Sequence, residues 1–316
     1  MKRSLRLRLL SLVLRLVVKT ALSLVKKPQA MRAQFERAAG RIFKSPEDAN
    51  FVPDAIRRSD VDGGNGGLIP ALWASRGRPD RHKVILYLHG GAFLAGSIRT
   101  HRHLAACLAG AAGVRSVLPE YRLAPEHPFP AALDDAVAVY RHLLATGYEA
   151  RHIALAGDSA GGGLVFSLLL KIAEHDLPSP ACVVAFSPWT DLTMTRGSLR
   201  RNARRDMMLP VRRFSEVVSL YLQGAMSTDP LASPVYGEYA NPPPTMITAT
   251  KAGILRDDAV AMADRLRESG GDVVLELWKD MPHAWPYFVG MVVEADTTVE
   301  RAGRFIARHL GDRSIS

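Results

Sequence analysis

Ile153-Ala154-Leu155-Ala156 followed by Gly157-Asp158-Ser159-Ala160-Gly161-Gly162-Gly163 and a long apolar segment from Leu164 to Ala173 decides the fold. Read physically, a short buried strand turns sharply into a helix. The turn has the G-x-S-x-G form, in which only glycine tolerates the crowding around a strained central serine. Ser159 is the expected nucleophile. Its hydroxyl stands proud of the sheet edge, the Ala160 amide points to where an oxyanion would form, and the helix N-terminus adds favourable partial charge. That geometry suits acyl transfer.

Outward from the turn, strands alternate with helices. Strands are predicted at Lys83 to Leu88, Arg115 to Leu118, Ile153 to Ala156, Ala181 to Phe186, Thr245 to Thr250 and Val273 to Leu277. Helices are predicted at Met31 to Phe43, Thr100 to Ala111, Ala131 to Ala145, Leu164 to Glu174, near Asp257 to Glu268 and near Val299 to His309. Ser45-Pro46 through Pro53-Asp54 reads as a linker, and the Gly-rich turn Asp62 to Gly67 closes an opening hairpin whose second strand is Leu68 to Ser75. Such alternation implies an α/β fold with a mostly parallel central sheet covered by helices on both faces, and ligands at the carboxyl ends of its strands.

Arg196 to Gly224 breaks the alternation with Arg200, Arg201, Arg204 and Arg205, then Met207, Met208 and Leu209, then a helix pattern through Phe214, Val217, Val218, Tyr221 and Leu222. It reads as an insertion packed with the N-terminal helices over the site. Its methionines suit ordinary packing or a flexible acyl-binding wall. The division is thus 1–50 for N-terminal helices contributing to a cap, 51–195 for the first part of the core, 196–224 for the cap insertion and 225–316 for the rest of the core.

With 316 residues, 47% hydrophobic and 23% charged, the chain can bury one large core. Two cysteines, Cys107 and Cys182, exclude a disulfide framework and read as buried free thiols. No histidine or acid cluster has metal-ligand spacing, so neither metal nor cofactor is expected. The net charge of +10 is concentrated at the start: Lys2, Arg3, Arg6, Arg8, Arg15, Lys19, Lys26 and Lys27 precede any acid. A nucleic-acid groove across the body is thereby excluded as an expectation. Arg8, Ser11, Arg15, Lys19, Ser23 and Lys26 recur at helical steps among leucines and valines, an amphipathic helix interrupted by Arg15 and short of the roughly 20 apolar residues a bilayer requires. Three readings stay open: a helix packed on the body as part of a lid, an interfacial membrane contact, and a cleaved signal. The expectation is a cytoplasmic protein, with peripheral membrane contact and a homodimer both left open.

An acyl-transfer site needs oxyanion donors from a second loop. Directly after the Lys83 to Leu88 strand the chain reads His89-Gly90-Gly91-Ala92-Phe93, where small residues let the amides of Gly91 and Ala92 join Ala160. His89 is expected to brace that loop. His283, in Asp280-Met281-Pro282-His283-Ala284-Trp285, lies just beyond a strand end and is the expected base.

His89-Gly90-Gly91-Ala92, Tyr121-Arg122-Leu123-Ala124-Pro125-Glu126-His127-Pro128-Phe129-Pro130, Gly157-Asp158-Ser159-Ala160-Gly161, Ser187-Pro188-Trp189-Thr190-Asp191-Leu192 and Met281-Pro282-His283 together resemble the bacterial hormone-sensitive-lipase-like (family IV) esterases. Asp229-Pro230-Leu231-Ala232-Ser233-Pro234 and the basic N-terminal helix look like the monoterpene lactone hydrolase and acetyl-hydrolase branch. The resemblance implies an α/β-hydrolase with a helical lid, acting on short to medium acyl esters. It implies that Ser159 is acylated, that His283 is general base then acid, and that Gly90, Gly91, Ala92 and Ala160 form the oxyanion region. Ala92 replaces the last glycine of the family's His-Gly-Gly-Gly.

The family has an acid after the Thr245 to Thr250 strand, followed by x-Leu-x-Asp-Glu; here the matching text is Gly253-Ile254-Leu255-Arg256-Asp257-Asp258. Gly253 occupies the acid's place. Loss of a triad acid costs about 10⁴-fold in kcat in comparable enzymes, so impaired activity is the expectation. Asp257 is the substitute put forward, with Asp191 and Asp280 as others. A non-catalytic small-ligand-binding protein on the same fold is the second reading.

Overall fold

The computed structural model describes residues 4–25, 27–58 and 66–311. The charges on Lys2, Arg3 and Lys26 and most of the Gly-rich turn at 62–67 lie outside the described residues.

The elements in chain order are helices α1 (Leu5–Val13), α2 (Lys19–Leu24) and α3 (Pro28–Ile42), strands β1 (Ala49–Arg57), β2 (Leu68–Arg76) and β3 (Asp80–Leu88), α4 (Ile98–Ala112), β4 (Val114–Pro119), α5 (Ala131–Ala145), β5 (Ile153–Asp158), α6 (Ser159–Glu174), β6 (Cys182–Phe186), α7 (Gly197–Arg201), α8 (Phe214–Leu222), β7 (Thr245–Thr250), α9 (Arg256–Glu268), β8 (Val273–Trp278) and α10 (Val293–Leu310). A π-helical turn, Leu14–Val18, joins α1 to α2.

The eight strands form one sheet in the order β1-β2-β4-β3-β5-β6-β7-β8. β2 runs antiparallel to both its neighbours, and every pairing from β4 to β8 is parallel. Strands with helices on both faces must be apolar on both. Val84 through Leu88 accordingly form an unbroken apolar run with no exposed residue. Leu133, Leu164 and Met262, from α5, α6 and α9, share a core with one face of the sheet. Leu104 and Ile306, from α4 and α10, share a core with the other.

Two sequence expectations change. The stretch read as a linker through Pro53-Asp54 is strand from Ala49 onward. Among the described residues β1 pairs only with β2, and at such an edge a proline can face away from the ladder, which is why Pro53 does not end the strand. The helix predicted from Leu164 begins at Ser159, because the glycines there pack against the sheet as its first turn.

The N-terminal helix, whose inward face the sequence left open, packs on the body through a narrow side. Leu7, Ser11 and Leu14 face the body, Ser4 caps α1 through the Leu7 amide, and Ser4 is itself held by the Glu294 carboxylate of α10 at 2.7 and 2.9 Å. Leu5, Leu9, Leu12, Val13, Leu16, Val17 and Leu24 face outward, each at least half exposed. α8 packs through Phe214 onto Trp189 and through Tyr221 onto Phe93, the latter pair stacked at 3.9 Å. The insertion is thereby joined to the loop after β3.

Candidate active site

β5 delivers the chain to Ser159 with φ of 53°, a left-handed conformation that a serine adopts only where its surroundings force it, at a cost of about 1–3 kcal/mol. The surroundings here are backbone. A Cβ on Gly157 would stand 2.5 Å from the Gly161 carbonyl oxygen, and one on Gly161 would stand 2.1 Å from that of Leu88. The glycines let β5, β3 and α6 close to within backbone contact, and the tight turn lifts Ser159 at the carboxyl end of the sheet. The Trp189 amide donates to the Ser159 carbonyl at 2.9 Å and fixes the turn from the β6 side.

His283 follows β8 on a loop tied to its neighbours. The Met281 amide donates to Thr250 Oγ1 at 3.1 Å, and the Ala284 amide donates to Ser187 Oγ at 3.2 Å. Between those tethers His283 Nε2 lies 2.8 Å from Ser159 Oγ. Burial pushes the imidazole's pKa below its ordinary 6.5, while the carboxylates of Asp206 and then Asp158 pull it back. A neutral ring accepting from the serine hydroxyl is the form able to take its proton.

The loop after β3 carries Ala92 and Phe93 at φ of 58° and 59°. Gly90, assigned to the oxyanion region by resemblance, does not belong with the donors. Its amide is spent on Asp158 Oδ1 at 3.0 Å. The same carboxylate accepts from Tyr87 Oη at 2.8 Å and lies 3.5 Å from His101 Nε2. Burial opposes charge on Asp158, but His101, Tyr87 and the Gly90 amide together hold its pKa below the usual carboxylate value. Asp158 is thus the anchor of the loop. The amides of Gly91, Ala92 and Ala160 have no hydrogen-bond partner among the described residues and are left for a ligand oxygen. His89 is fully buried, stacked on Tyr121 at 4.1 Å with Nδ1 donating to the Gly90 carbonyl, and burial pushes its pKa down to about 3. It braces the loop as an uncharged ring.

The structure does not bring Asp257 to His283. Its carboxylate accepts from the Ser198 amide at 2.7 Å, Arg201 Nη2 at 2.8 Å and Arg256 Nε at 2.8 Å, fastening the start of α9 to α7. Asp191 is likewise occupied, by Arg196 Nε at 2.6 Å and by the Thr193 amide at 2.9 Å. Asp280 occupies a turn at φ of 57°.

A different carboxylate stands at the vacancy. Asp206, 2% exposed, accepts from the Ile254 amide at 3.0 Å through Oδ2 and from the Met208 and Leu209 amides at 2.9 and 2.8 Å through Oδ1. Its Oδ2 is 3.6 Å from the point where a Cβ on Gly253 would lie. The sequence marks residues 196–224 as an insertion over the site but does not single out Asp206. No local pattern marks it, since what singles it out is a neighbour far along the chain. Among the described residues no group of three His, Cys, Asp or Glu side chains is placed to hold a metal ion.

A serine on a strained strand-to-helix turn, a histidine at hydrogen-bond distance and unspent amides from two loops define a serine hydrolase of the α/β-hydrolase class. The family model for the alpha/beta hydrolase fold matches residues 85–287. An acetyl-hydrolase of Streptomyces hygroscopicus is 37% identical over 78% of this chain and 82% of its own length. A crystal structure of an esterase from the bacterial hormone-sensitive lipase family superposes with a TM-score of 0.90 at 36% identity, covering 98% of this chain and all of that one. A second esterase, EstE5, whose crystals were soaked with p-nitrophenyl butyrate, gives 0.89 at 33% identity over 97% of this chain and 99% of that one. The chain belongs to the α/β-hydrolases and, among them, to the bacterial hormone-sensitive-lipase-like esterases; it is a carboxylic ester hydrolase.

Proposed function

We propose that this enzyme cleaves short to medium acyl esters, and lactones of similar size, through an acyl-enzyme on Ser159. The 2.8 Å contact between His283 Nε2 and Ser159 Oγ carries the reading. As Oγ bonds to the ester carbonyl carbon, its proton passes to Nε2, and the carbonyl oxygen takes up negative charge beside the amides of Gly91, Ala92 and Ala160. The C–O bond to the alcohol then breaks, and the imidazolium returns its proton to the departing oxygen. Water attacks the acyl-serine, giving its proton to His283, and collapse releases the carboxylic acid and restores the serine hydroxyl. With a lactone the departing alcohol stays joined to the acyl chain.

The short-acyl preference is supported by the similarity to an acetyl-hydrolase and to an esterase soaked with a butyrate ester. Release of p-nitrophenol from acetate and butyrate esters tests it. A pre-steady-state burst of one equivalent, absent in Ser159→Ala, is expected; a wild-type rate no greater than that of Ser159→Ala overturns it. The second reading, a non-catalytic binder, rested on Gly253 and would be favoured by that outcome.

We also propose that the outward face of α1 and α2 rests on anionic lipid headgroups. Leu5, Leu9, Leu12, Leu16 and Leu24 recur on one exposed side with Arg6, Arg8, Arg15 and Lys27 exposed beside them, the pattern of an interfacial helix. No helix of the described residues is long and apolar enough to cross a membrane. Co-sedimentation with phosphatidylglycerol vesicles, lost in high salt and in Leu12→Glu/Leu16→Glu, is expected. Equal binding to phosphatidylcholine vesicles or none overturns the proposal, and a dimer broken by the same variant would assign the face to a second copy.

A further inference from the structure

The side of the imidazole opposite Nε2 needs a carboxylate if His283 is to hold one tautomer and stabilise the charge it acquires. Gly253 cannot supply it. Beside that glycine, however, Asp206 Oδ2 lies 3.6 Å from where a Cβ would stand, and it takes the amide of Ile254, the residue directly after the vacancy. The charges of Asp206 and Asp158 both raise the pKa of His283, and Asp158 is already held by Tyr87, His101 and Gly90.

The loop carrying Asp206 is built to stay there. Asn202 Nδ2 donates to the carbonyls of Lys251 and Gly253, at 3.1 and 2.8 Å. From the N-terminal helix, Lys19 Nζ donates to the Ala203 and Asp206 carbonyls at 2.8 and 2.7 Å, and Arg15 Nη2 donates to the Arg205 carbonyl at 3.2 Å. These bonds go to main-chain oxygens, so they fix the loop without forming an ion pair with the Asp206 side chain.

We propose that Asp206, carried by the cap insertion, is the positioning residue for His283: it accepts from Nδ1–H in place of the acid missing at Gly253. The inference rests on the acyl-enzyme reading above. It makes the insertion a part of the proton-transfer machinery.

The test uses the full chain and p-nitrophenyl acetate. Asp206→Asn can keep the Met208 and Leu209 amides bonded while losing the charge. A fall in kcat of about 10²–10⁴-fold with little change in KM is expected. The acid limb of the kcat/KM profile should move to lower pH, because a group that raises the imidazole's pKa has gone. The strongly deshielded Nδ1 proton expected in the wild-type NMR spectrum should vanish. Asp206→Asn/Gly253→Asp should recover at least tenfold of the lost kcat, and it serves equally if the single variant fails to fold. A single variant within threefold of wild type with an unmoved acid limb, or a folded double variant with no recovery, overturns the assignment of Asp206 while leaving the acyl-enzyme reading intact. A wild type no faster than Ser159→Ala overturns both.

Discussion

Asp206 and Gly253, on separate segments of the chain, share one site: the aspartate's Oδ2 lies 3.6 Å from where the glycine's side chain would begin. Restoring the family's acid by Gly253→Asp alone should therefore bring no gain. The new Cβ would stand 2.7 Å from Thr250 Cγ2, and a second carboxylate would crowd the first. We expect kcat within about threefold of wild type and a loss of about 1–3 kcal/mol of stability from overpacking, read from esterase assays and denaturant unfolding. A large rise in kcat would mean that the site was vacant.

Lys19 touches the segment that carries the proposed positioning residue through the Ala203 and Asp206 main-chain oxygens. Lys19→Met should lower kcat by about three- to tenfold while Tm changes little, since removing two hydrogen bonds on a partly exposed lysine costs about 1 kcal/mol. Steady-state kinetics alongside a thermal melt separate the two effects.

His283 is buried, and burial lowers its pKa despite the opposing pull of Asp206 and Asp158. In the proposed mechanism the base works in its neutral form. The acid limb of kcat/KM should therefore lie below pH 6.5, with a plateau above it, measured on an ester whose own hydrolysis is slow across that range.

Asp158 anchors the oxyanion loop through Gly90 and Tyr87 at 3.0 and 2.8 Å. Asp158→Asn should cost about 1.5–3 kcal/mol of stability, the range for hydrogen bonds to a charged group. It should also lower kcat about tenfold, less than the ~10²–10³ lost when an oxyanion donor is removed outright. Urea unfolding and turnover of p-nitrophenyl butyrate check both.

Asp258 is fully buried at the start of α9. Its Oδ1 accepts from the Thr190 and Asp191 amides, and its Oδ2 has no hydrogen-bond partner among the described residues. Burial and the neighbouring Asp191 charge push its pKa up from 3.8 to about 8. The folded state then holds a proton that the unfolded state has lost, so Asp258 erodes stability as pH rises from 3.8 to about 8. Asp258→Asn should gain in Tm over wild type progressively across that window. A difference in Tm that is constant with pH would count against the raised value.

The strand, the elbow and the loop after β3 were legible because their chemistry is local. Gly157 and Gly161 are required by backbone oxygens within van der Waals distance, and that requirement writes itself as G-x-S-x-G. His283 was legible from its place after a strand end. Gly90 was misassigned because an amide's partner cannot be read from the residue that carries it; Asp158 claims it only once β3 and β5 pair. The opening hairpin was legible, but the start of β1 at Ala49, ahead of Pro53, was not, because the sequence does not say which strand will be an edge. The N-terminal helix showed its amphipathic period, but the choice of inward face went to Leu7, Ser11 and Leu14, since Ser4, Arg15 and Lys19 bond to α10 and the insertion.

The amino-acid sequence by itself determined the parallel sheet, the strand-to-helix turn that carries Ser159 and the absence of an acid at 253, because short-range sterics and hydrophobic period fix each within a few residues. Only the tertiary structure decided that Asp257 fastens α7 to α9 and that Asp206 stands at the vacancy beside Gly253. A carboxylate's role is set by which amides and charges surround it, and those neighbours come from segments that meet only after the insertion has folded back over the sheet.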